Sequence, residues 1–310
     1  MTRYLGLGKE DAFGQPASPT RFIDPLRIDV ASEKEPILRR SVASRAPVDE
    51  AAGSVVVSGE VEFQVEPTVF GDFLLMLLGK VSSSQPDPSN APTVYQHTFT
   101  PCEVGETPPT YTLELASDST ARKVVSAIIE SMKIELAPGE YVSATASIVG
   151  QKEEQSSPQS PSFPQTRPWH SGEASIKING EEAELQALSL EINNNPSTDH
   201  HVIGSRYLPR HELGELEIKG SMDIRFSDRK YLDEFLEEEE ASITIELAGD
   251  PIEGGYGYGA RIEFPRVVYS AWSGEISGSD PIVQSVDFVA LKPSSGDAVK
   301  FTLTNTVSEY

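Results

Sequence analysis

Two nine-residue stretches of this chain have nearly the same sequence. Residues 110–118 read TYTLELASD, and residues 242–250 read SITIELAGD. Both copies alternate apolar and polar residues with a period of two, which is typical of a strand with one buried face and one solvated face. A strand that occurs twice raises the question of whether a larger unit also occurs twice.

The similarity between the two halves of the chain extends well beyond this stretch. At one constant offset in numbering, the following positions align: Ser44 with Ser205, Arg45 with Arg206, Gly53 with Gly214, Gly59 with Gly220, Asp72 with Asp233 and Leu75 with Leu236. The alignment has no gap over about thirty residues, which favours duplication over chance repetition of strand patterns. The sequence therefore predicts two tandem domains related by internal duplication.

The aligned region contains a long half-buried strand in each copy, at residues 55–65 and 216–226. Gly59 and Gly220 lie on the apolar face of these strands. Because a glycine on that face marks a bulge, a bend or the close approach of another backbone, we predict a bent strand that spans two packed sheets.

Each of these strands precedes a short apolar segment that predicts a helix, at residues 70–78 and 231–238. Beyond the helices the offset between the copies becomes smaller, since Thr110 aligns with Ser242 there. The first copy therefore has an insertion between its helix and this strand. Residues 80–109 are rich in proline and serine, and they predict a long loop or hairpin that the second copy lacks.

The other alternating segments make the chain mainly β. Further strands are predicted at residues 26–30, 133–136, 141–149, 174–179, 185–193, 260–264, 282–291 and 299–304. Residues 151–168 are too polar and proline-rich to pack a core, so they predict a linker. The 310 residues then divide into an N-terminal arm (1–24), a first domain (25–150), the linker and a second domain (169–310).

The chain carries 48 acidic and 25 basic residues, a net charge of −23. Affinity for nucleic acid comes mainly from lysine and arginine, so this charge argues against DNA binding but allows a role beside DNA. Residues 1–20 lack the pattern of a secretion signal, and no apolar run has the length of a membrane span. We therefore expect synthesis in the cytoplasm. Cys102 is the single cysteine, which excludes a disulfide within the chain.

No segment has the pattern of an active site or a metal site. Adjacent His200 and His201 would point to opposite sides of an extended segment, and the consecutive carboxylates of residues 237–240 would diverge at a helix end. Residues 254–259, GGYGYG, lack the Lys-Ser/Thr of a phosphate-binding loop, and Cys102 lacks the signature of a catalytic thiol. We therefore predict no catalytic, cofactor-binding or metal-binding residue, and no enzyme.

Several segments, taken in order, resemble a known family. They are YLGLGKEDAFGQPASPTRFI, GSVVVSGEVEFQVEP followed by FGDFLLMLLG, HTFTP, LQALSLEINNN, GELEIKGSMDIRF and YLDEFL. Together they resemble the tail tube proteins of long-tailed viruses of bacteria and archaea, over nearly the whole chain. The resemblance implies β-sandwich domains with a short flanking helix, which assemble into stacked rings around a channel for viral DNA. For a double-domain chain it implies trimeric, pseudo-hexameric rings in the virion tail, with tape-measure and tail-terminator or tip proteins as partners.

The resemblance also implies a negatively charged channel that DNA passes without specific binding. The candidate wall residues are Glu60, Glu62, Glu217 and Asp223, on the polar faces of the repeated strands. Lys219 and Arg225 lie among them, so these strands could instead meet a neighbouring domain through arginine–carboxylate pairs.

Two other functions stay open on the sequence alone. One is another component of the virion tail, and the other is a carbohydrate-binding pair of β-sandwiches in which Tyr256 and Tyr258 would stack on a sugar. Residues 1–24, 80–109 and 151–168 are unusually long for a compact monomer, and they would suit contacts between stacked rings.

Overall fold

The computed structural model describes residues 3–225, 230–275 and 283–310. The predicted positions Met1, Phe226 and Ile282 lie outside these ranges. The protein is mainly β, as predicted, with 53% strand and 6% helix. Among the described residues, no helix is long and apolar enough to span a bilayer.

The described residues of the first half contain twelve strands and one α-helix. They are β1 Arg3–Lys9, β2 Arg21–Ile23, β3 Arg27–Lys34, β4 Ile37–Arg39, β5 Asp49–Ala51, β6 Val55–Gln64, α1 Phe70–Leu78, β7 Gly79–Ser84, β8 Tyr95–Pro101, β9 Tyr111–Ser117, β10 Thr120–Leu136, β11 Ser143–Gly150 and β12 Lys152–Ser156.

Eight described strands and a second helix follow in the other half. They are β13 Ala174–Ile178, β14 Glu181–Glu182, β15 Leu185–Asn193, β16 Glu217–Arg225, α2 Lys230–Leu236, β17 Glu240–Glu253, β18 Tyr256–Glu275, β19 Val283–Ala290 and β20 Lys300–Asn305. The tight turn between β13 and β14 is Asn179-Gly180, with both residues in the left-handed region (φ 54° and 82°) that this dipeptide favours.

One antiparallel sheet of eight strands runs through both halves. Its order is β3, β6, β11, β10, β15, β16, β19 and β18. The two halves meet where β10 pairs with β15, from Ser131 opposite Asn193 to Leu136 opposite Leu188. Four strands of the first half thus continue directly into four strands of the second.

A second layer covers the apolar face of this sheet in each half. In the first half its order is β2, β1, β9, β10 and β12; in the second it is β14, β13, β17, β18, β20, β8 and β7. Most buried apolar residues of both halves form one hydrophobic cluster between the layers. Strand alternation explains this arrangement, since β6 buries every second side chain along most of its length.

The strands that belong to both layers are β10 and β18. The first part of β10 pairs with β9 and β12, and its second part pairs with β11 and β15. The prediction that the glycine-containing strand spans two sheets was wrong, because among the described strands β6 pairs only with β3 and β11. Gly59 instead allows a close backbone approach: a Cβ there would lie 2.1 Å from the carbonyl oxygen of Asp29. At Gly220 a Cβ would meet the ring of Phe288 at 2.3 Å.

The additional segment at residues 80–109 contributes a hairpin that joins the two halves. Its strands β7 and β8 pair with each other, and β8 also pairs with β20 near the end of the chain. Part of the 151–168 segment is strand β12, and its Phe163 packs against the outer apolar cluster that includes Tyr4 and Phe22. Both segments are therefore packed against the rest of the chain in the described structure.

The two helices differ in their surroundings. All nine residues of α1 are buried, whereas none of the seven residues of α2 is. The buried Asp72 of α1 accepts two hydrogen bonds from Arg21, both at 2.7 Å, and one from the Tyr111 hydroxyl at 3.0 Å. Burial raises the pKa of the Asp72 carboxyl, while the Arg21 guanidinium opposes that rise. Arg21 also lies over the ring of Tyr310, 4.6 Å from its centre, so it connects the N-terminal strands, α1 and the C-terminal tail.

Replacing Arg21 by alanine is expected to lower the free energy of unfolding by about 3–5 kcal/mol, because it leaves the Asp72 carboxylate buried without its partner. The loss should be smaller at pH 4 than at pH 8, since protonation of Asp72, whose pKa is already raised, removes the unpaired charge. Chemical denaturation at both pH values measures it. The control is Arg27→Ala, which removes an exposed ion pair with Asp29 and should cost under about 1 kcal/mol. Equal losses for the two variants would contradict this account.

Candidate functional site

The uncovered face of the eight-stranded sheet is polar and continuous across both halves. Opposed residues in neighbouring antiparallel strands share a face. One row of such pairs runs from Glu60 to Ser147, Ser131, Asn193 and Glu217. Glu60 and Glu217, which the sequence analysis gave as candidate wall residues in different copies, therefore lie in one row on one face.

The other two candidates occupy the same face because side chains alternate along a strand. Glu62 lies two residues from Glu60 in β6, and Asp223 lies six residues from Glu217 in β16. Glu60 and Glu217 are exposed, and Glu62 and Asp223 are half-buried. The structure thus brings all four predicted residues together on one polar surface.

This polar face is strongly acidic. Among the described side chains it carries nine acidic and four basic residues, a net charge of −5, namely Asp29, Glu33, Glu60, Glu62, Glu135, Glu191, Glu217, Asp223 and Asp287 with Arg27, Lys133, Lys219 and Arg225. The sequence did not identify Asp29, Glu33, Glu135, Glu191 and Asp287. Their strand alternation was visible, but the order of the strands in the sheet was not.

Three of the four basic residues are neutralised within their own strands. Lys219 lies 2.5 Å from Glu217. The same arrangement, with a carboxylate two residues away, occurs for Arg27 with Asp29 and for Lys133 with Glu135, each at 2.7 Å. Within the described ranges Glu60, Glu62 and Asp223 have no ion pair. Their charges are therefore left to face whatever lies in front of the sheet, and a polyanion there would be repelled.

The segments considered for other chemistry lie elsewhere. Gly254 and Gly255, both in the left-handed region, form the turn between β17 and β18, and residues 256–259 begin β18. Glu240 begins β17 and pairs with Arg266 at 2.5 Å. In the part of the chain that the structure describes, no group of three or more histidine, cysteine or carboxylate side chains could hold a metal ion.

Cys102 is half-buried, and burial raises the pKa of its thiol to about 11. At neutral pH this thiol is almost entirely protonated, whereas the thiolate is the reactive form of cysteine. It therefore lacks the environment of a nucleophile.

Comparison with known proteins identifies the family of this chain. A search of curated proteins returns no match. A family model described as phage tail tube protein matches residues 2–290, which include every strand of the eight-stranded sheet. The chain therefore belongs to the phage tail tube protein family, whose members are structural components of the virion tail and assemble as homo-oligomeric tubes.

Proposed function

We propose that three copies of this chain close a pseudo-hexameric ring, and that stacked rings form the hollow tube through which viral DNA passes during ejection. The pairing of β10 with β15 carries this proposal. This pairing joins the two halves of one chain edge to edge, and we propose that neighbouring chains in the ring are joined in the same way. The proposal includes no catalytic role.

The two halves have equivalent strand orders, which supports tandem duplicated domains at residues 25–150 and 169–310. The order β3, β6, β11 and β10 corresponds to β15, β16, β19 and β18. A bulge interrupts the pairing between Ile129 and Ser131 in β10, and another does so between Tyr269 and Ala271 in β18. Both bulges occur at the same place in the corresponding strands, so the correspondence includes irregular features as well as regular ones.

The outermost strands of the sheet each keep an edge without a partner strand in the described structure. β3 pairs only with β6, and residues 269–275 of β18 pair only with β19. Exposed strand edges readily pair with another chain. β18 corresponds to β10, and β3 corresponds to β15, which is the partner of β10. We therefore propose that β18 of one copy pairs with β3 of the next.

We call the proposed pairing of β18 with β3 of the next copy the seam. The register of the β10–β15 pair within one chain predicts the register of the seam. Lys133 opposite Glu191 in the β10–β15 pair corresponds to Ser273 opposite Ala31 across the seam. Each half then occupies one sixth of the ring, and three chains of eight strands give a closed barrel of 24 strands. Closure removes every free edge of the sheet.

The covering layer lies on one face of the sheet, so closure is easiest with that layer outside, where the circumference is larger. The acidic polar face, including Glu60, Glu62, Glu217 and Asp223, then lines the channel. DNA would pass without specific binding because the wall repels its phosphates. The proposed partners are a tape-measure protein inside the tube and terminator and tip proteins at its ends. The proposed sites are the host cytoplasm for synthesis and the virion tail for the assembled protein.

Electron microscopy of the purified protein at high concentration tests the proposal. The expected result is rings or tubes with a central channel, and native mass spectrometry of single rings should give the mass of three chains. Protein that stays monomeric at high concentration, or rings of six chains, would overturn the proposed closure.

A further inference from the structure

The connection between β15 and β16, residues 194–216, packs onto the first half of the same chain. Arg206 donates from Nε to the carbonyl oxygen of Gly53 at 2.8 Å, and the backbone nitrogen of Val55 donates to the carbonyl oxygen of Arg206 at 2.9 Å. Leu208 is only 1% exposed, and its carbonyl oxygen accepts a hydrogen bond from Gln151 at 3.0 Å. This connection therefore holds the two halves together beside the β10–β15 pairing.

Two further side chains anchor the same connection. His211 is buried, its Nε2 lies 2.6 Å from the carbonyl oxygen of Ser126, and its ring meets the edge of Phe13. Burial lowers the pKa of His211, so the neutral ring donates to this carbonyl. The Asn194 side chain donates to the carbonyl oxygen of Leu77 at 2.7 Å, at the end of α1.

The first half has an equivalent connection, residues 35–54, between β3 and β6. We call its residues 35–53 the arm, and most of it is the hairpin of β4 and β5. Every residue from 33 to 52 is exposed, including Ile37 (62%) and Val48 (48%). The counterpart also exposes Val202 (49%) and Ile203 (106%), but it buries Leu208 (1%). The arm has no such buried anchor within the described single chain.

The arm carries the residues that make the contact in its counterpart. Arg45 aligns with Arg206, and Gly214 aligns with the acceptor Gly53, in the ungapped alignment that relates the two copies. If the two halves alternate around a ring, Arg45 of one copy faces Gly214 of the copy before it.

The charges of the two surfaces are complementary. Residues 39–48, RRSVASRAPV, contain three arginines and no acidic residue, in a chain of net charge −23. No ion pair involves these arginines in the described structure. Gly214 lines a cavity of about 770 Å³ whose charged side chains are Glu103, Glu106, Arg210, Glu212 and Glu215. Glu212 pairs with Arg210, and Glu103 and Glu106 pair with Lys292 and Lys80 from outside the lining. Among the described residues, Glu215 is therefore the carboxylate of this cavity that is left to attract a basic segment.

We propose that the arm docks onto the second half of the neighbouring copy within a ring, with Arg45 donating to the carbonyl oxygen of Gly214. The contact would repeat between chains what Arg206 and Gly53 make within one chain. This inference rests on the proposed ring. It assigns the neighbouring copy as the partner of the basic exposed residues 39–48.

A cysteine pair tests the contact in a Cys102→Ser background. Arg45→Cys with Leu216→Cys places thiols at the positions that correspond to Arg206 and Val55. The matched control is Arg206→Cys with Val55→Cys, which should close within a chain and keep monomer mobility on a non-reducing gel. The Arg45 and Leu216 pair is expected to give a covalent ladder that ends at three chains.

The other outcomes each overturn the docking. A ladder beyond three chains would place the arm between stacked rings. Rings that are visible by electron microscopy, together with a closed control and no ladder, would leave the ring proposal standing without this contact. Absence of any ring would instead refute the proposed function.

A single alanine substitution tests the same contact if the cysteine variants do not fold. Arg45 is exposed in the single chain, so Arg45→Ala should leave the monomer stable. Loss of one charge-assisted hydrogen bond per seam should raise the concentration needed for ring assembly by about tenfold. Circular dichroism would verify the fold, and sedimentation would measure assembly. Unchanged assembly would overturn the docking.

Discussion

Disulfide-linked trimers are expected when Ala31 and Ser273 are both replaced by cysteine in the Cys102→Ser background and the assembled protein is oxidised. The proposed seam places these residues directly opposite each other, where Cβ atoms in antiparallel strands are about 4.5–5.5 Å apart. That separation requires only a small adjustment to form a disulfide. Non-reducing gel electrophoresis would show nearly all of the protein shifting from the mass of one chain to the mass of three.

The chain provides a matched control for this cross-link. Lys133 and Glu191 are the corresponding pair between β10 and β15, so their cysteine variant should form a bond within one chain and no multimer. A second control, Ala31→Cys with Ala271→Cys, is displaced by two residues along the strand and should cross-link poorly. Rings that form without a cross-link while the in-chain control closes would show that the seam has another register or another pair of strands.

Local sequence patterns were sufficient to place most elements. The apolar run at residues 70–78 is α1 Phe70–Leu78, and the alternating run at 185–193 is β15 Leu185–Asn193. Alternation also assigned Glu60 and Asp223 to polar faces, because the side on which a strand residue lies depends only on its position in that strand. These features are set by neighbours in sequence, so a single sequence contains them.

Pairings between distant segments could not be read in the same way. Nothing local to β10 indicates that β15 is its neighbour, so the joined polar face and the acidic residue Glu191 were not predicted. Nothing near Asp72 in the sequence indicates that it is buried, because its partner Arg21 is 51 residues away. Tertiary packing buries Asp72 and leaves Arg21 half-buried. The error about the bent strand has the same origin, since Gly59 responds to the backbone of β3, a contact between strands.

Charge inversion of the proposed channel wall is expected to turn a surface that repels DNA into one that retains it. Replacing Glu60, Glu62, Glu217 and Asp223 by lysine changes the net charge of the described side chains on the polar face from −5 to +3 in each chain. Lysines that contact phosphates release counterions, so binding should be strong at low salt and fall steeply as salt rises. With about four phosphate contacts, the affinity should drop about 100-fold between 50 and 200 mM salt.

Fluorescence anisotropy of a short duplex added to assembled tubes measures this binding, and the unaltered tubes should show none. The control inverts four exposed loop acids outside the eight-stranded sheet, namely Asp11, Asp118, Asp199 and Glu309. It produces the same change in net charge, so only the position of the charge differs between the two variants. If DNA is retained by the first set alone, the polar face is the surface that DNA meets. Equal retention by both sets would show that binding follows total charge, and the wall assignment would fail.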